Sequence, residues 1–339
     1  MSQVTETVPP FVELARPVRV QRSARPTPRE WIQHLALLAL TVVTTTIAGV
    51  MLITPGVEPD VQPPEGLFGY LLFLPQYYLA AVAQLIVQAL RDPAVLSQGM
   101  LFSAALLAIL ASHEAGHYIA CRRYGVAATL PYFLPAPPLF LAGTFGAFIK
   151  IKAPIPSRRA LFDIGLAGPL AGFAVALPIS VAGIASLQTI PHSTGPGITF
   201  NDPLLFRLLA LAFHVNLENT APNPFYMAAW IGLLVTALNL MPVSQLDGGH
   251  GTFALFGPRA HNIIGRAAFM IMGTLAVLGW VWHGSPSGFL YAVLLGVMLR
   301  VRHPQPQQDE PLGRARLAVA VITLLVFVLS FWPFPITIT

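Results

Sequence analysis

Long stretches of this chain carry no Asp, Glu, Lys or Arg, among them Trp31–Ile53, Phe225–Val243 and Leu317–Trp332. Each is close to the length that crosses a bilayer as a helix, about 20 residues. Lipid offers backbone groups no water, so a spanning segment of this kind must bond within itself, as a helix does. Composition agrees: 55% of residues are hydrophobic and 10% charged, against about 25% charged in soluble domains. The chain therefore reads as an all-α polytopic membrane protein. A single cysteine, Cys121, excludes an intrachain disulfide.

Seven spans are expected, at 31–53, 96–121, 160–187, 225–243, 263–281, 288–299 and 317–332. Gly66–Leu90 is apolar too, but Pro75, Gln76, Gln84 and Gln88 interrupt it, and it is read as interfacial or re-entrant. With that assignment, all but Arg91 and Arg207 of the 19 Lys and Arg fall on or beside one face. The positive-inside rule makes that face cytoplasmic, with the N-terminus on it. The net charge of +5 is thus explained by orientation, and no nucleic-acid partner is expected. Residues 1–30, rich in Pro and Arg, read as a disordered basic cytoplasmic tail. Residues 31–333 form the transmembrane unit, with its core at 96–255, and 334–339 form a short tail. The connector 122–159 holds Pro131, Pro135, Pro137 and Pro138, and Ile149 and Ile151 alternate with Lys150 and Lys152. That alternation predicts a short re-entrant or interfacial β-like piece over Thr144–Lys152.

The apolar run Met100–Ala111 leads directly into His113-Glu114-Ala-Gly-His117. On a helix, His113 and His117 share one face with Cβ atoms about 5–6 Å apart, close enough to share one zinc ion. Glu114 beside them can take a proton from an attacking water. A structural histidine pair is the bland alternative, but no Lys or Arg nearby neutralises Glu114, and ionisable groups inside a membrane are functional candidates by default. A catalytic zinc wants three protein ligands and one open position. Cys121 continues the His113–His117 stripe. However, three side chains at successive i, i+4 positions span about 12 Å along a helix, too far to meet one ion. Asp247 follows an apolar span and precedes Gly248 and Gly249. Spacing alone leaves it open between a ligand and a solvated Asp-Gly turn.

His113-Glu114-x-x-His117 together with Asn239-Leu-Met-Pro242-Val-Ser-Gln-Leu-Asp247-Gly248 resembles the site-2 protease family of intramembrane zinc metalloproteases. Pro131-Tyr-Phe-Leu-Pro135, Gly143-Thr-Phe-Gly146 and Phe162-Asp163-Ile-Gly-Leu-Ala-Gly168-Pro169-Leu-Ala-Gly172 resemble its bacterial and plastid branch. The resemblance implies one Zn2+ per chain, held by His113, His117 and Asp247, with Glu114 as general base. It implies an intramembrane endopeptidase that cuts in or near the transmembrane segment of a single-span protein, within a lipid bilayer. A bacterial cytoplasmic membrane is the expected location. Many relatives carry a PDZ domain between the two motifs, and the connector here is too short for one. Asn239 is expected either to orient substrate or to make an interhelical hydrogen bond. The Gly168-x-x-x-Gly172 face is expected to pack another helix, Asp163 to face its helix dipole near Arg158 and Arg159, and His250 and His261 to be solvated in a cytoplasmic loop. A divalent-metal transporter or proton relay is the alternative function class, since both use buried ionisable clusters.

Overall fold

The computed structural model describes residues 27–53, 64, 66–138, 142–189, 198–218 and 220–338. The tail at 1–26 lies outside them. The first helix, α1, begins at Pro28, three residues ahead of the expected span, and runs to Ile53. It is followed by α2 (Tyr70–Arg91) and α3 (Pro93–Arg123). A hairpin, β1 (Tyr132–Pro135) and β2 (Thr144–Phe148), fills the connector before α4 (Arg158–Ala185). On the far side come β3 (Gln188–Thr189), β4 (Ile198–Phe200), α5 (Leu204–Phe213) and β5 (Thr220–Ala221). The chain returns through α6 (Pro224–Asn239), α7 (Asp247–His283), α8 (Ser287–Met298) and α9 (Arg314–Ser330), and ends with β6 (Ile336–Ile338). The residues read as a short tail at 334–339 thus include a strand, which pairs antiparallel with β4.

Helix starts follow from local chemistry. Asp92 caps α3 by accepting the Ala94 N–H at 2.9 Å, with Pro93 at the first helical position. Asn223 caps α6 by accepting the Tyr226 N–H at 2.9 Å, with Pro224 next to it. Proline costs nothing at that position, because its missing N–H would have no partner there.

The bundle is built around α6. Its consecutive residues Met227 to Leu233 are all buried, so over that stretch it has no lipid or solvent face. It packs on α3, α4 and α9, while α3 and α4 form the largest helix pair. Among the described residues five helices, α1, α2, α3, α4 and α7, are long and apolar enough to cross a membrane. That count includes α2, which the sequence reading kept out of the spans, and leaves out α6, α8 and α9, which are 16, 12 and 17 residues long.

The expected cytoplasmic loop at 244–262 is helical from Asp247 onward. Asp-Gly-Gly-His-Gly is a poor helix former in isolation. Here packing overrides propensity: a Cβ at Gly248 would overlap the Leu240 carbonyl, and one at Gly249 the Ser244 carbonyl. The loop signal survives only as a break at Gly257, whose φ is 79°, just before Pro258.

At the basic end, Asp163 does not face Arg158 or Arg159. It is bonded by Arg316 of α9 at 2.7 and 2.8 Å and by the Tyr124 hydroxyl. Arg158 instead reaches Asp309 at 3.0 Å, and Arg159 reaches Glu310 at 3.4 Å. These pairs tie α3, α4 and the α8–α9 loop together.

Candidate metal centre

His113, Glu114 and His117 are buried on α3. Asp247 arrives as the first residue of α7, after the tight turn that closes α6. Nε2 of His113 and Nε2 of His117 are 3.1 Å apart, and Oδ2 of Asp247 is 3.2 Å from the first and 3.4 Å from the second. Tetrahedral ligands about 2.0–2.1 Å from one ion stand about 3.3–3.4 Å apart. The three atoms thus form one face of a tetrahedron of the size zinc requires. Among the described residues they are the one such cluster, and Cys121 is not part of it.

The lone pairs agree with the distances. His117 Nδ1 is 2.7 Å from the Ile164 carbonyl oxygen. A carbonyl only accepts, so Nδ1 carries a hydrogen, and in the neutral imidazole Nε2 is then bare. That bare nitrogen faces another imidazole nitrogen and a carboxylate oxygen. With both rings neutral, such a set of acceptors repels itself unless a cation sits between them, and the donor set fits a metal ion.

α4 shapes this centre. A Cβ on Gly168 would overlap the His117 ring, and one on Gly172 would press on His113. The Gly168-x-x-x-Gly172 face, expected to pack a helix, also makes room for two imidazoles. Glu114 Oε1 lies 4.0 Å from His113 Nε2. Asn239, the last residue of α6, places its side-chain amide nitrogen 3.4 Å from His113 Nε2. His113, Glu114, His117, Asn239 and Asp247 border one cavity of about 270 Å³, whose other wall includes Ala147 and Phe148 at the end of β2 and Ile149 just after it.

His34 of α1 holds the hairpin in place. Its Nδ1 bonds the Pro131 carbonyl at 3.0 Å and its ring packs on Tyr132. No motif in the sequence marks His34. It is the one histidine in the run Trp31–Ile53, which has no Asp, Glu, Lys or Arg, and that is the signal that could have found it. Of His250 and His261, both expected to be solvated, His261 is buried and His250 is half-buried. His261 is buried against Phe253 and Thr252, and His250 borders the metal cavity. The physical reason is the helix that replaced the expected loop.

The model of peptidase family M50 matches residues 101–279, more than half of the chain and including every residue of the centre. The chain belongs to peptidase family M50. Among similar proteins, "Probable zinc metalloprotease EGY1, chloroplastic" of Arabidopsis thaliana is 31% identical over 238 residues, covering 67% of this chain and 42% of the relative. "Probable zinc metalloprotease EGY2, chloroplastic" of Oryza sativa subsp. indica is 29% identical over 254 residues, covering 71% of this chain and 44% of the relative. The chain thus spans about two-fifths of the length of the curated relatives it matches. Family membership and the apolar helices together make it an integral membrane protein. The relatives are chloroplastic, which lends no support to the bacterial cytoplasmic membrane expected above.

Proposed function

We propose that this protein is an intramembrane zinc endopeptidase that hydrolyses a peptide bond in or next to the transmembrane segment of a single-span membrane protein. One observation carries the reading: three acceptor atoms of His113, His117 and Asp247 converge at zinc-ligand spacing beside Glu114, inside an apolar bundle. The matching zinc metalloproteases support it. Zinc, when bound, polarises the scissile carbonyl and acidifies the attacking water. Glu114 takes the proton from that water and returns it to the leaving amine nitrogen. Asn239 turns its amide toward the carbonyl oxygen as charge builds there. An intact helix hides its carbonyls in its own hydrogen bonds, so the substrate must unwind locally. β2 has β1 as its one strand partner among the described residues, which suits its other edge to an unwound segment.

A metal transporter would need a polar path beyond the centre. Along α6, the buried stretch from Met227 to Leu233 is apolar throughout and offers no such path. For the membrane arrangement we retain seven spans, with α2 along the interface and the basic end of the bundle on the same side as the N-terminus.

The test co-expresses a panel of single-span proteins with wild type and with Glu114→Gln. Glutamine keeps the shape and removes the base. A fragment made by wild type should fall by at least about a hundredfold, while zinc stays bound. Near-normal cleavage by the purified glutamine variant would sink the mechanism.

A further inference from the structure

His250 borders the metal cavity but is not part of the ligand cluster. It sits three residues after Asp247, with its Cβ facing Gly165 of α4. Its Nδ1 is 2.9 Å from Nε2 of His303, which comes from the α8–α9 loop. Nδ1 of His303 is in turn 2.7 Å from the Pro304 carbonyl oxygen. Phe253 stacks flat on the His303 ring, with centroids 4.1 Å apart and planes 7° apart.

For neutral rings these contacts fix the tautomers. A carbonyl oxygen only accepts, so His303 Nδ1 carries hydrogen. Burial, with the His250 and His261 rings beside it, brings the His303 pKa down to about 3, so this ring is neutral near pH 7 and its Nε2 is bare. The hydrogen of the 2.9 Å bond therefore sits on His250 Nδ1. In neutral His250 this leaves Nε2 as a bare acceptor. That nitrogen has no hydrogen-bond partner among the described residues, and it is not sealed from solvent. An acceptor placed beside a metal cavity suits a donor brought in from outside. An unwound peptide segment presents such donors as backbone N–H groups, whereas a helix has already used its own.

We propose that His250 receives the substrate backbone: His303 holds it in the Nδ1–H tautomer, and its bare Nε2 accepts an N–H from the unwound segment lying across the metal cavity. This rests on the endopeptidase reading above and adds the group that distinguishes an opened segment from a helical one. His250 touches the substrate; His303 is a positioning residue.

Two measurements on the zinc-loaded full chain test it. The first records ring nitrogen spectra of 15N-histidine-labelled protein in lipid. Wild type should show His250 with a protonated Nδ1 and an unprotonated Nε2. His303→Phe keeps the stack on Phe253 but removes the acceptor, and it should release His250 into a mixture of tautomers. A protonated His250 Nε2 in wild type, or an unchanged tautomer in His303→Phe, overturns the proposal. The second uses a peptidyl hydroxamate as probe, with each backbone N–H replaced in turn by N-methyl. One position should weaken binding about tenfold in wild type, the scale of one hydrogen bond. The same position should have no such effect in His250→Ala, and zinc content should be equal in both proteins. Equal loss in both proteins, or no sensitive position in wild type, overturns the substrate role. A probe that binds neither protein overturns the endopeptidase reading and the substrate role with it. The spectra still decide the tautomer separately.

Discussion

At the residue scale, the contest for the third ligand is between Asp247 and Cys121. Cys121 is buried one turn beyond His117 on the same helix, while Asp247 comes from another segment and stands 3.2 and 3.4 Å from the two Nε2 atoms. Cys121→Ser should therefore keep about one zinc per protein and most activity, whereas Asp247→Ala and Asp247→Asn should lose activity and bind zinc more weakly. Metal content measured beside cleavage of one substrate decides between them. Full zinc in Asp247→Ala with loss in Cys121→Ser would reverse the assignment. Gly168 offers a second test. A methyl there overlaps the His117 ring, and that ring cannot swing away without breaking its 2.7 Å bond to Ile164. Gly168→Ala should weaken zinc binding by at least about tenfold, the low end for disturbing groups that orient a ligand. Competition with a chromogenic chelator measures it, and unchanged affinity would mean that α4 does not shape the centre.

At the element scale, the hairpin decides whether a substrate strand can be held. β1 and β2 pair from Tyr132↔Phe148 to Pro135↔Thr144. The pairing continues past β2, where the Lys152 N–H bonds the Ala127 carbonyl at 2.7 Å. The alternation at Ile149–Lys152 thus marks the base of the hairpin, while β2 itself ends at Phe148. A proline at Phe148 or Ile149 removes one N–H where β2 borders the cavity. It should lower cleavage of helical substrates more than it lowers zinc content. Unchanged kinetics with both prolines would remove the hairpin from the reaction.

At the scale of the whole molecule, the open matter is how α2 lies. It satisfies length and composition for a span. Yet Pro75 lies inside it, and one residue, Asp92, separates it from α3. Reporter fusions after Glu58 and after Leu90 should report the same side, opposite the N-terminus, if α2 lies along the interface. Opposite sides for the two fusions would make α2 a span and overturn the count of seven.

What the sequence by itself determined was set by short-range rules. Apolar length requires helices in lipid, and an i, i+4 pair of histidines on one of them faces one point. The motif order that resembles the site-2 protease family could also be read without any fold. What only the tertiary structure decided involves distant partners. Asp247 meets His113 and His117 because the turn after α6 lets α7 start beside α3, and that turn depends on contacts between Gly248 and Leu240 and between Gly249 and Ser244. Asp163 finds Arg316 rather than its near neighbours because α9 docks against α4. His250 and His261 read as solvated loop residues because local propensity opposed a helix through three closely spaced glycines. Packing forced that helix, and with it drew His250 to the cavity and His303 to its side.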